Sequence, residues 1–138
     1  MAYVSLDSDQ IKKAHKKHKY TKTQVEQLEK CMDQKDGPLF FMKTFMKIQH
    51  PVKGSIPFHP FPYQERLIAS YNDHRFSIAM LPRQTGKTTC ASGFLIWYAM
   101  FRPDSQILIA AHKYAGASDI MSRVRYAYEM LPAWIKAG

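Results

Sequence analysis

One junction constrains this chain more than any other. Arg75-Phe76-Ser77-Ile78-Ala79-Met80-Leu81 is a short apolar run. It leads straight into Pro82-Arg83-Gln84-Thr85-Gly86-Lys87-Thr88-Thr89, and from about Lys87 to Phe101 the sequence is apolar again at helical length. A strand of 75–81, a loop and a helix follow from these lengths. Arg102-Pro103-Asp104-Ser105 then reads as a turn, and Gln106-Ile107-Leu108-Ile109-Ala110-Ala111 as a second buried strand. Strand, helix and strand at this spacing predict a right-handed parallel crossover.

The loop has chemistry of its own. Backbone N–H groups at a helix N-terminus form an anion hole. Gly86 lets the backbone approach a phosphate without a Cβ clash. Lys87 would reach the β- and γ-phosphates, and the Thr88 hydroxyl would ligate Mg²⁺. A glycine normally stands five residues before Gly86, where this chain has Leu81, so Pro82 would have to fix the start of the loop. The alternative is a strand–loop–helix corner in which Gly-Lys-Thr is incidental. Arg83 is placed either to stabilise γ-phosphate charge or to pair with an acid. Gln64 is either a surface amide or a donor–acceptor pair for adenine.

Upstream, the pattern is helical. Thr21 and Gln24 have capping-box spacing, followed by Val25, Leu28 and Met32 on one predicted face. Asp36-Gly37-Pro38 interrupts. A second helix is predicted over 39–48, with Phe41, Phe45 and Ile48 inward, ending before Pro51. Residues 50–62 read as an ordered loop, and 62–72 as a helix with Leu67, Ile68 and Tyr71 inward. The last helix is predicted over 118–130, with Ile120, Val124, Ala127 and Leu131 on one face. The fold class expected is α/β: a partial P-loop NTPase, a parallel sheet with flanking helices, preceded by a helical N-terminal subdomain. Its parts are a basic flexible arm over 1–20, a helical part over 21–73, and the first half of the ATPase core over 74–138.

Charge and composition bound the partners. Twenty Lys and Arg against eleven Asp and Glu give a formal charge of +9, which favours polyanions, nucleic acid first. Lys12, Lys13, Lys16, Lys17 and Lys19 cluster in the first twenty residues, as a phosphate-binding arm or a solvated tail. No run approaches the ~18 apolar residues of a membrane span, and 1–10 lacks a signal-peptide core. Cys31 and Cys90 lack metal-ligand spacing and read as reduced thiols; His15 and His18 read as solvated surface.

From about Phe40 onward these pieces resemble the large terminase subunits of tailed bacteriophages. The resemblance rests on Phe61-Pro62-Tyr63-Gln64, Leu81-Pro82-Arg83-Gln84-Thr85-Gly86-Lys87-Thr88-Thr89, Ile109-Ala110-Ala111-His112-Lys113 and Leu131-Pro132-Ala133-Trp134. It accounts for Leu81, because the family's loop lacks the first glycine. It implies an ATP-driven motor that moves double-stranded DNA into a procapsid, with ATP and Mg²⁺ as cofactors. Gln64, Arg83, Gln84, Thr85, Gly86, Lys87, Thr88 and Thr89 would bind nucleotide. Arg83 and Lys87 would be catalytic, with Arg83 an arginine finger in cis, and Thr88 would hold the metal. The portal protein and the small terminase subunit would be partners, in the host cytoplasm at the procapsid portal.

Neither predicted strand ends in the acids such a site needs to orient Mg²⁺ and activate water, and no nuclease carboxylate cluster is present. The expectation is an N-terminal piece, inactive alone, whose partner is the missing C-terminal half. Two rival readings stand beside it: part of a helicase-type DNA-dependent ATPase, and a basic DNA-binding module without enzymatic activity.

Overall fold

The computed structural model describes residues 19–136. Most of the basic arm expected over 1–20 lies outside them. Among the described residues five α-helices and one β-hairpin form a single core, in which α4 (Lys87–Phe101) packs against α1 (Lys22–Met32), α2 (Gly37–Phe45), α3 (Pro62–Asp73) and α5 (Tyr114–Glu129). The helical part and the loop-bearing part therefore share one interior.

α1 starts as its sequence dictates. Thr21 Oγ1 accepts from the Gln24 N–H at 3.2 Å, and Gln24 Oε1 accepts from the Thr21 N–H at 3.0 Å. Its inner face differs from the predicted one. Val25 and Met32 are exposed, and the helix buries Cys31 with Leu28 packed against the core. The carbonyl of Cys31 accepts from Trp97 Nε1 at 2.7 Å. That bond holds the largest fully buried side chain to α1 and satisfies the one polar atom of the indole. Gly37 makes room for it: a Cβ there would meet the Cys31 carbonyl oxygen at 2.4 Å and Trp97 Nε1 at 3.2 Å.

α2 begins with Pro38 in its first turn and buries Phe41 and Phe45, as expected. It ends three residues earlier than predicted. Met46 is extended, and its carbonyl takes the N–H of buried Phe58 at 3.1 Å. Lys47–His50 (β1) then pairs antiparallel with Gly54–Pro57 (β2), Ile48 opposite Ile56. Ile48 is thus a strand residue, and part of the expected loop 50–62 is a strand. His50 Nδ1 accepts from the N–H groups of Val52 and Lys53, and Gly54 takes φ +73 to close the turn.

α3 and α4 fall where predicted, with Leu67, Ile68, Ile96 and Trp97 buried. α5 starts four residues earlier than expected, and Ala127 and Leu131 are buried.

The sheet is the main departure. The hairpin is the only sheet among the described residues. Segments 75–81 and 105–111 are not strands of it: their backbones make no ladder, and Phe76, Ile78, Met80 and Leu108 are exposed. Their side chains suit a covered parallel sheet, but no described strand lies beside either one to supply its hydrogen bonds.

Candidate phosphate-binding loop

Residues 82–86 turn the chain from the extended segment into α4. The turn is pinned from within by Thr85 Oγ1 donating to the Pro82 carbonyl at 3.0 Å. It is pinned from outside by α3, where Tyr63 Oη donates to the Thr85 carbonyl at 2.7 Å and Gln64 Nε2 to the same oxygen at 3.1 Å. Gln64 is buried, and its Oε1 accepts from the Phe61 N–H at 2.9 Å. Both ends of its amide are thus engaged, and in this arrangement Gln64 holds the loop.

Gly86 is the N-cap of α4 at φ +74. A Cβ on it would come within 2.5 Å of Gln64 Nε2. Backbone conformation and the packing of Gln64 therefore both require glycine here. Gln84 also has positive φ, at 61°. No side chain caps α4. The first turn of a helix leaves its N–H groups without intrahelical acceptors, and the helix dipole adds positive potential there. Any cradle for an anion here would be built from backbone.

The side chains stand around it. Lys87 is exposed, and its Nζ lies 3.5 Å from the Leu81 carbonyl, so the lysine folds back over the mouth of the loop. Leu81 is half-buried and packs against the core, and the Pro82 carbonyl accepts from Thr85 Oγ1, so the loop's entry is held without a glycine. Thr88 and Thr89 are half-buried. Arg83 and Gln84 are exposed, and no ion pair holds Arg83 among the described residues. No group of three or more His, Cys, Asp or Glu side chains is arranged to hold a metal among the described residues. Thr88 would supply one hydroxyl ligand to Mg²⁺ and this region no carboxylate.

Residues 78–137 match the family model described as terminase large subunit, T4likevirus-type, N-terminal. Over these residues, fewer than half of its length, the chain is similar to that family. The matched segment contains the loop, α4 and α5, while Tyr63 and Gln64 brace it from outside the matched residues. The sequence singles out Gln64, as a surface amide or an adenine reader, and gives Tyr63 no role of its own; the tyrosine hydroxyl makes the shorter bond to the loop. Phe61 was missed. Its ring is 63% exposed and stacked on Tyr63, the residue that bonds the loop, at 6.0 Å and 7° between planes. The signal was Phe61-Pro62-Tyr63, with proline in the first helical turn fixing both aromatics. No helix among the described residues is long and apolar enough to cross a membrane.

Proposed function

We propose that residues 82–89 hold the phosphates of ATP and that this segment is part of a terminase that uses them to drive double-stranded DNA into a procapsid. The observation that carries the reading is the uncapped N-terminus of α4 behind Gly86, with Lys87 folded over its mouth. The N–H groups of the first turn would take phosphate oxygens, and Lys87 would move from the Leu81 carbonyl to the β- and γ-phosphates. Thr88 would ligate Mg²⁺. Arg83, exposed in the loop, would lie near developing negative charge on the γ-phosphate. Phe61 offers a ring face to the adenine. Gln64 would reach the base edge only by giving up a bond to the loop or to Phe61, so its part in this reading is to carry the loop.

Hydrolysis needs carboxylates that this region does not supply. The apolar segments 75–81 and 105–111 would be strands of a parallel sheet whose neighbours come from outside the described residues. A strand ending in acids would complete both the sheet and the site. DNA, the portal protein and the small terminase subunit would be the partners of that assembly, and the charge of +9 suits DNA.

Calorimetry of ATP·Mg²⁺ binding tests the reading. Weak binding is expected, and Lys87→Ala is expected to remove it. Equal affinity for both proteins would refute the phosphate loop.

A further inference from the structure

A cavity of mixed polar and apolar lining lies between α4, α5 and β1. Its volume is about 480 Å³, and of its lining only Thr89 belongs to the loop 82–89. Two helical stripes form the walls. Thr89 and Ser92 lie three apart on α4, and Asp119, Ser122, Arg123 and Tyr126 share one face of α5. Lys47 and Gln49 come from β1.

Ser92 marks this cavity as more than a packing gap. It is 2% exposed, and its Oγ has no hydrogen-bond partner among the described residues. A hydroxyl in that state costs free energy unless something takes it up. A serine on a helix often relieves the cost by donating to the carbonyl four residues back, as Ser122 does to Ser118 at 3.0 Å. Ser92 does not, and it lines the cavity.

The charges select the ligand. Lys47 has no acidic partner among the described residues. Arg123 meets Asp119 at 3.4 Å through Nε, on the exposed rim. Asp119 is the one acid in the lining and is already engaged. The remainder is hydroxyl, amide and an apolar wall of Met46, Ile48 and Ala127. Cations with hydroxyl donors suit an oxyanion, and the volume exceeds that of phosphate alone, within the range of small-ligand sites. We propose that this cavity binds a sugar-phosphate unit, its phosphate on Arg123 and Lys47 and its hydroxyls on Ser92 and Gln49. A free nucleotide or sugar phosphate and a nucleic-acid strand present the same chemistry.

The test uses the full chain carrying Lys87→Ala, so that binding at the loop 82–89 does not contribute. Thermal unfolding is followed by the fluorescence of Trp97 and Trp134 with ribose 5-phosphate, and separately with a short oligodeoxythymidine. Either probe is expected to raise the midpoint. Ser92→Ala is expected to raise the midpoint without probe, by removing the unpaired hydroxyl, and to cancel most of the probe's effect. Arg123→Gln, at an exposed position, is expected to weaken the probe about tenfold or more, the loss of one bond to a charged group. A response to the oligonucleotide alone would assign the unit to a nucleic-acid strand, and a response to ribose 5-phosphate to a small molecule. No response in the parent, or an equal response in parent, Ser92→Ala and Arg123→Gln, would overturn the site. Because the loop is disabled throughout, that failure would leave the ATP reading untouched.

Discussion

α4 and the two segments that flank it are similarly apolar, yet they end in opposite environments. α4 buries Cys90, Ser92, Gly93, Ile96 and Trp97 and is surrounded by four helices. Segments 75–81 and 105–111 leave Ile78 95% and Leu108 91% exposed. The difference lies in hydrogen bonding. A helix satisfies its own backbone, so an apolar helix can join whatever apolar faces are near. A strand needs another strand, and its apolar side chains are buried only where that partner places a sheet. Apolar character therefore states a requirement, and the element's hydrogen-bond pattern decides whether nearby residues can meet it.

The buried side carries the largest expected effect. Trp97→Ala removes the indole that ties α4 to α1. It is expected to cost about 3–5 kcal/mol in denaturant unfolding, the range for large aromatics in cores. A loss below about 1 kcal/mol would show that α4 is not the centre of the core.

Alkaline pH probes the same interior. Burial pushes the Cys31 thiol up to about 12 and the Cys90 thiol up to about 11, from an ordinary value of 9.0. The folded state thus holds these protons more tightly than the unfolded chain. Their contribution is complete below about pH 9 and is lost as pH rises through 11 and 12. Chemical denaturation is expected to give constant stability from pH 7 to 9 for this contribution and a fall above it. The fall should be smaller in Cys90→Ala. An unchanged alkaline fall in that variant would place Cys90 outside the core.

The exposed side should be nearly silent. Ile78→Asp and Leu108→Asp are each expected to change stability by no more than about 0.5 kcal/mol, as at other exposed positions. They should also reduce self-association at high concentration, measured by light scattering, because they interrupt exposed apolar segments. A cost of several kcal/mol would mean that the segments are covered in solution and would erase the contrast.

What the sequence disclosed follows the same division. α3 and α4 were legible to within a residue because their ends carry punctuation: Pro62 in the first turn, Gly86 as N-cap, and Arg102-Pro103 after the last turn. The hairpin was not. Ile48 continues the helical spacing of Phe41 and Phe45, and only its pairing with Ile56 makes it a strand residue. The strand pattern of 75–81 was clear, but its partner is not encoded within a few residues of it. In the candidate site, the place of Gly86 at the loop-to-helix junction was legible from residue type alone. The grip of Tyr63 and Gln64 on the Thr85 carbonyl was not, because it joins residues more than twenty positions apart through α3. Ser92 carried no signal in the sequence; only its burial without a partner distinguishes it.

In the proposed function the backbone at the start of α4 receives phosphate. Amide chemical shifts read that backbone directly. Titration of the ¹⁵N-labelled chain with ATP·Mg²⁺ is expected to move the N–H signals of Gln84, Thr85, Gly86, Lys87 and Thr88 most. Those of α1 and the β1–β2 hairpin should stay in place, and inorganic phosphate should give a weaker shift of the same signals. Perturbations concentrated elsewhere, with the signals of Gly86, Lys87 and Thr88 unmoved at saturating nucleotide, would contradict the claim.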